Sequence, residues 1–388
     1  MTDIKIVTGL NYGDESKGLV ANAVSTSTCL NVMPSNSCQR AHTVVENGVR
    51  RVFRHFGSGT LKGAATYFAD RFLVNPAMFR QEWEELAAMG VTPKVYCRAS
   101  VRIITVMDMY ANVYLEKLRG DKSHSSTGCG VWEALNRQNT LTNEKNVYAF
   151  SDIIAYYEEL FKKWNNGTID EEAQDWLHGA ALKANSDNDL RFFYEHVEVI
   201  EDDIQEKALF HSYPLIVFEN GQGLLLDDDY CLDYDHNTPA NVGSKESAKL
   251  IRKNFDNANE VNIEALYVTR SYLTRHGKGV IGVRDNCECD KAEINPDMVD
   301  LTNVPNPHQG TLRYGKFTTN EAMSAMSRVM KDWHQLTKRG FRQAKTSVVV
   351  THMNEFQSPE LMNALKYSPN KAYISTDEST IQEKNFEY

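Results

Sequence analysis

Short apolar runs separated by stretches of helical spacing set the pattern of this chain. Residues 4–7, 30–33, 95–97, 215–218, 265–269, 348–351 and 372–374 are apolar or β-branched apart from Lys5 and Asn31, with no sustained alternation. That is how strands buried on both faces read. Between several of them lie stretches with apolar positions three and four apart, such as 76–89 (Phe79, Trp83, Leu86, Ala87) and 321–336 (Met323, Met326, Val329, Met330, Trp333). The alternation predicts an α/β fold, a mostly parallel central sheet flanked by helices. The methionine and aromatic stripe at 323–333 predicts core packing. Residues 151–208 predict charge-rich helices, interrupted by a solvated turn at Asn185-Ser186-Asp187-Asn188-Asp189. No internal repeat, low-complexity tract or long linker divides the chain, so a single elaborated domain over 1–388 is expected.

The first apolar run feeds Thr8-Gly9-Leu10-Asn11-Tyr12-Gly13-Asp14-Glu15-Ser16-Lys17-Gly18 and then helical spacing. A strand, a glycine-bounded polar turn and a helix start form an entrance for phosphate: glycines let the backbone approach an anion, and the first amides of the helix point at it. Lys17 adds a point charge. The spacing is not the Walker pattern, and the loop carries carboxylates. Asp14 and Glu15 would repel a phosphate unless a divalent cation sits between them, or one of them is there for proton chemistry.

Charge and cysteine content narrow the class. The net charge is −10, and the longest basic run is Arg50-Arg51, which argues against a nucleic-acid partner. The seven cysteines are odd in number and scattered, as expected of a reducing compartment. Cys287-Glu288-Cys289 lacks the second ligand pair of a metal site. With no signal peptide and no apolar run near ~18 residues, a cytoplasmic protein without membrane association is expected.

About thirty residues after the loop comes Cys38-Gln39-Arg40-Ala41-His42-Thr43, and the two segments together resemble the adenylosuccinate synthetase family, whose Gly-Asp-Glu-Gly-Lys-Gly loop is followed by Asn-Ala-Gly-His-Thr. Further likenesses follow in order. Phe56-Gly57-Ser58-Gly59-Thr60-Leu61 resembles a Pro-Ser-Gly-Ile-Leu turn, and Leu73-Val74-Asn75-Pro76-Ala77 a Leu-Ser-Pro-Ala helix start. Ser126-Thr127-Gly128-Cys129-Gly130 resembles Thr-Thr-Gly-Arg-Gly. Val217-Phe218-Glu219-Asn220-Gly221-Gln222-Gly223 resembles the Glu-Gly-Ala-Gln-Gly segment, Thr274-Arg275-His276-Gly277-Lys278-Gly279 resembles Thr-Arg-Val-Gly-Ala-Gly, and Ile374-Ser375-Thr376 resembles the terminal Ile-Ser-Thr-Gly.

The resemblance implies a ligase of purine nucleotide biosynthesis that joins L-aspartate to carbon 6 of a 6-oxopurine nucleotide, IMP or GMP/dGMP, through a 6-phosphoryl intermediate driven by a nucleoside triphosphate. Asp14 would be the base that removes the N1 proton, and His42 the acid at the oxygen being relieved of its bond. Gly13, Glu15, Ser16, Lys17, Gly18 and Thr43 would hold the triphosphate, with Mg2+ on Asp14 and the carbonyl of Ala41. Gln39, Thr127 and Gln222 would meet the purine nucleotide, and Arg137 would reach across a homodimer interface to the partner's phosphate. Asn354 and Ser375 would lie at the triphosphate's base. Two departures stand out. Asn354 replaces an aspartate that reads guanine, and an amide cannot repeat that two-acceptor contact, so weakened guanine selectivity is expected, with ATP or dATP in place of GTP. A bacteriophage branch that makes 2-aminoadenylosuccinate from dGMP is similar in being short and in lacking this aspartate; it usually replaces the loop aspartate too, whereas this chain keeps Asp14. In the amino-acid pocket, residues 304–315, only Arg313 remains of an arginine cluster, with His308 or Gln309 beside it and Arg275 and Lys278 as substitutes from a neighbouring loop. A ligase for a different amine and a silent nucleotide-binding paralogue are the alternatives.

Overall fold

The computed structural model describes residues 1–124, 126–141, 150–184, 188–230, 237–299, 308–367 and 371–384. Its centre is the strand Thr2–Gly9, hydrogen-bonded in parallel to Val261–Arg270 on one side and to Leu215–Gly223 on the other. Outward from these the sheet continues through Lys345–Thr351 and Lys371–Ile374 on one wing, and through Cys29–Ser37, Ala65–Val74, Val95–Arg98 and Glu198–Ile200 on the other. Every pairing is parallel except that of the edge strand Gln382–Lys384. Successive side chains of the central strand enter opposite cores, as pleating requires. Ile4 and Ile6 pack with Ala248, Ile251 and Val329 of the helices Ser244–Asn254 and Thr319–Thr337. Val7 faces the helix Lys17–Val24 through Leu19 and Val20.

All seven apolar runs lie in strands, and the two amphipathic stretches form helices Pro76–Ala88 and Thr319–Thr337. The ten-residue strand Ala65–Val74 has no counterpart in the apolar runs, because Asp70 and Arg71 interrupt its pattern. Met323 and Met330 are exposed, at 43% and 42%; Thr319–Thr337 buries Ala322, Ala325, Met326 and Val329 instead. Of the expected turn at 185–189, residues 185–187 lie outside the described residues, while Asn188 already begins the helix Asn188–Glu195. Within 151–208 a short strand, Glu198–Ile200, joins the sheet edge. No helix among the described residues is long and apolar enough to cross a membrane.

A helical lobe, Val106–Arg119, Val131–Thr140, Phe150–Trp164 and Glu171–Ala184, flanks the sheet. Part of it packs around Met107, Tyr114, Ile153, Tyr157 and Phe161. One fully buried carboxylate joins three of these helices: Asp108 accepts from Arg137 Nε at 2.8 Å and Nη2 at 2.9 Å, and from the Tyr157 hydroxyl at 2.5 Å. It also caps its own helix through the Thr105 amide. Removing one partner of such a pair leaves an uncompensated buried charge. Arg137→Met is therefore expected to lower unfolding stability in urea by about 3–5 kcal/mol, with the double variant Asp108→Leu/Arg137→Met recovering part of it; a loss below about 1 kcal/mol for the single change would show that the pair contributes little.

Candidate active site

The central strand ends at Gly9 because a side chain there would collide with the loop that follows: a Cβ would lie 2.4 Å from Glu15 Oε2 and 2.9 Å from the Gln222 carbonyl. Glu15 is turned inward, its Oε1 accepting from the amides of Asn11 at 3.0 Å and Gly13 at 2.8 Å. It is buried and shapes the loop from within, rather than facing an anion. Gly13 and Ser16 take the left-handed backbone that folds the loop back, with φ of 107° and 67°, a strained choice for a serine. Lys17, almost fully buried, donates to the Gly13 carbonyl at 2.6 Å and lies 3.4 Å from Glu15 Oε2. Gly18 lets the helix start against the next segment, since a Cβ would come within 2.6 Å of the Thr43 carbonyl and 3.0 Å of His42 Cβ.

His42 thus sits directly over the helix start. Its Nδ1 lies 2.6 Å from Glu219 Oε1, and its Nε2 is buried without a hydrogen-bond partner among the described residues. Glu219 also receives Arg40 at 3.2 Å, the Ser58 amide at 2.9 Å and the Ser58 hydroxyl at 2.5 Å. Burial alone would raise the Glu219 carboxyl, but Arg40, His42 and Ser58 hold it down at about 2. Burial pushes the His42 imidazole down to about 4, further than Glu219 restores it. An ionised Glu219 can only accept, so Nδ1 carries the proton and Nε2 presents its lone pair toward the loop.

Arg40 and His42, but not Glu219, line a cleft of about 1390 Å³ at the C-terminal ends of the parallel strands, where open α/β sheets bind ligands. Its volume exceeds that of a site for one small molecule. Asp14 faces it with a side chain 31% exposed and 3.9 Å from His276 Nε2, while its backbone carbonyl is fixed by Arg270 Nε at 2.6 Å. Gly13, Ser16, Lys17, Gly18, Ala41, His42 and Thr43 share this end of the cleft. Gln39, Thr127 and Gln222 line it further along, with Gln39 Nε2 donating to Thr238 Oγ1 at 3.0 Å and to Asn36 Oδ1 at 3.2 Å. Asn354 lines it too. Ser375 is buried beside that segment, its carbonyl accepting from the Met353 amide at 3.1 Å and its hydroxyl given to the Asp377 carbonyl at 2.8 Å.

Two expected residues stand elsewhere. Arg137 is held by Asp108 inside the helical lobe and does not line the cleft. Arg313 spans Glu288 with Nη1 at 2.9 and 3.0 Å and holds the carbonyls of Gly277 at 3.0 Å and Gly279 at 2.6 Å. It braces the loop after the strand Leu273–Arg275. Residues 304–307 of the expected amino-acid pocket lie outside the described residues; His308 and Gln309 line the cleft. Arg275 faces the cleft with its guanidinium 4.7 Å above the Tyr12 ring. The exposed Lys278 donates to the Asp121 carbonyl at 2.7 Å. Glu219, Arg40 and His276 were not singled out by the sequence. For Glu219 the signal was present: a carboxylate at the end of an otherwise apolar strand run.

Mg2+, implied by the family, can be judged from the donor set. Asp14 and the exposed Ala41 offer hard oxygen donors at the phosphate end, and no group of three or more His, Cys, Asp or Glu among the described residues is placed to enclose a cation. A site with few protein oxygens suits Mg2+, which keeps waters and shares substrate phosphates.

The adenylosuccinate synthetase family model matches residues 6–299. The adenylosuccinate synthetase of Thermoplasma volcanium is 22% identical over 246 residues, 62% of this chain and 55% of that one. That of Coxiella burnetii is 24% identical over 287 residues, 71% of this chain and 62% of that one. The chain thus matches less than two thirds of the length of these relatives. Among solved structures, the succinoaminodeoxyadenylate synthetase PurZ of cyanophage S-2L, bound to dGMP and dATP as an energy donor, superposes with a TM-score of 0.63 at 15% identity, covering 99% of this chain and 95% of the phage one. Fully ligated adenylosuccinate synthetase from Plasmodium falciparum gives 0.65 at 14% identity, covering 90% and 77%. The family's phosphate-loop and histidine segments meet at one cleft on the sheet both structures share, and with the model spanning most of its length the chain belongs to the adenylosuccinate synthetase family.

Proposed function

We propose that this chain is a carbon–nitrogen ligase that joins L-aspartate to C6 of a 6-oxopurine nucleotide, IMP or GMP/dGMP, at the expense of a nucleoside triphosphate. The observation that carries the reading is the convergence of Asp14, Lys17 and His42 on one cleft, with His42 oriented by the buried Glu219. A protein that only binds nucleotides has no use for an oriented imidazole with an unpartnered nitrogen beside a carboxylate. Asp14 takes the N1 proton, which makes O6 nucleophilic. O6 then attacks the γ-phosphorus and the diphosphate leaves. His42, neutral in the free protein, takes a second proton from solvent onto Nε2 once the triphosphate's negative charge is bound beside it; Nε2 then donates to the oxygen being released, and Glu219 balances the charge of the imidazolium. The aspartate amine next adds at C6 and phosphate departs. Lys17 and the first amides of the helix Lys17–Val24 hold the phosphates. Mg2+ held by Asp14 and the Ala41 carbonyl would neutralise phosphate charge.

For the choice of nucleotides, two observations support an adenine triphosphate and a guanine-type acceptor. Asn354, expected at the triphosphate's base, lines the cleft in place of a two-acceptor aspartate. The phage protein similar over nearly its whole length binds dGMP and dATP. Gln39 and Gln222 supply amides for the purine edge. A second reading, ligation of a different amine, is favoured by the engagement of Arg313 with Glu288 and two loop carbonyls.

Incubating IMP, GMP or dGMP with ATP, dATP or GTP, aspartate and Mg2+ is expected to give one succinylated purine detected by mass spectrometry. Turnover that proceeds without aspartate, using another amine, would transfer support to the second reading. His42→Asn is expected to lower kcat by ~10²–10⁴, and Glu219→Gln to act in the same direction with nucleotide KM nearly unchanged, since Glu219 orients the ring without facing the cleft. If Arg313 is only a brace, Arg313→Ala and Glu288→Ala raise the KM for the amine to a similar extent. A much larger effect of the arginine change alone would show that it binds substrate itself.

A further inference from the structure

The turn after the strand Cys29–Ser37 and the loop before the helix Val131–Thr140 bring two cysteines together. Cys38 is 0% exposed and Cys129 8%. They share an apolar cluster with Leu73, Ile104, Val131 and Ala134, and each thiol is the other's strongest electrostatic neighbour. Cys129 lies between two glycines in left-handed backbone, Gly128 at φ 77° and Gly130 at φ 70°, with its sulfur 3.9 Å from the Thr127 carbonyl. The two members differ in access and character. Cys129 lines the cleft and is reachable by small solutes, whereas Cys38 does not line it. The neighbouring Cys38 draws the Cys129 thiol down, while Cys129 and burial push the Cys38 thiol up. An accessible thiolate backed by a buried thiol is the arrangement of an attacking and a resolving cysteine.

We propose that Cys38 and Cys129 form an oxidative modification site, at which an oxidant of the hydroperoxide class converts the dithiol into an intramolecular disulfide. The Cys129 thiolate attacks the peroxide oxygen and is oxidised to the sulfenic acid, the O–O bond breaking and the first water leaving. The Cys38 sulfur then attacks the Cys129 sulfur, the S–S bond forms, and the second water departs. Two thiols lose two electrons and two protons, and one hydrogen peroxide becomes two waters. The bond, about 2 Å long, would tie the turn carrying Gln39 to the loop carrying Thr127, the two walls proposed to meet the purine nucleotide. A thiol reductant reverses it by exchange.

The full chain is treated with hydrogen peroxide, alkylated, digested and mapped by tandem mass spectrometry, which separates Cys38 from the neighbouring Cys29. The expected result is one dominant cross-link between Cys38 and Cys129, two hydrogens lighter than the free pair and lost with dithiothreitol. In Cys38→Ala, Cys129 is expected instead to advance to the sulfinic acid at least tenfold faster than in the parent chain. Cys129→Ala, which removes the attacking thiol, is expected to leave Cys38 unoxidised and supplies a second control. Recovery of Cys38 and Cys129 unlinked from treated wild-type chain, or linked no more often than other cysteine pairs, overturns the proposal.

Discussion

The arrangement depends on one carboxylate taken out of water in the middle of the sheet. Glu219 ends an apolar run in the strand beside the central one and is 1% exposed. An ion in that position costs several kcal/mol unless its lone pairs are filled and a counter-charge is near. Arg40 supplies the charge, and His42 and Ser58 fill the acceptor sites. Arg40 cannot serve Glu219 alone, since its other nitrogens hold the carbonyls of Arg54 at 2.8 Å, His55 at 2.9 Å and Phe56 at 2.7 Å. The hairpin of His42–Glu46 and Val49–Phe53 and the turn beyond it are therefore tied to a strand nearly two hundred residues away. The position of His42 over Gly18 follows from that tie.

The phosphate loop is assembled on the opposite logic. Its shape is complete without an anion, because Glu15 satisfies the amides of Asn11 and Gly13 from inside, and Lys17 rests on the Gly13 carbonyl. Arg328 secures the loop from below through Asn11 Oδ1 at 2.9 Å, and the Tyr12 hydroxyl accepts from the Gly282 amide at 2.9 Å. A triphosphate entering this loop would find Lys17 preorganised and draw it from the Gly13 carbonyl and the Glu15 carboxylate, so little ordering entropy is left to the binding step. The strain at Ser16 is the local cost of aiming the following amides outward.

Much of this was legible in the sequence, and what was not has physical reasons. Parallel strands buried on both faces leave continuous apolar runs, so the central sheet could be read directly; Ala65–Val74 could not, because its solvent-facing Asp70 and Arg71 break the run. The phosphate loop was readable because glycine spacing is a backbone requirement. The role of Glu15 was not, since spacing does not reveal which way a carboxylate points. Glu219 was hidden by separation, its partners lying at 40, 42 and 58. The arginines misled for a related reason. A guanidinium suits a phosphate or carboxylate ligand as well as an internal one, and Asp108 and Glu288, which engage Arg137 and Arg313, cannot be matched to them from sequence alone.

The distribution of cations then bears on which part of the cleft has changed most. At the phosphate end, Lys17, His42 and Arg270 are set by contacts running through the sheet. Beside the phosphate loop, the loop after Leu273–Arg275 is folded around arginines: Arg313 holds Gly277 and Gly279 from outside, while Arg275 lies over Tyr12 from inside, so close to Gly279 that a Cβ there would be 2.3 Å from its Nη2. His308 packs on Gly128 with 2.6 Å to a Cβ built there. Arginine on both sides of one glycine loop fixes the loop firmly but turns one guanidinium into scaffold. A dicarboxylate bound there would be read by Arg275 with imidazole and amide groups, in a geometry broader than that of a paired arginine clasp. In the proposed reaction, selectivity for the amine would then rest less on charge matching than on the shape that Gly128, His308 and the braced loop leave between them.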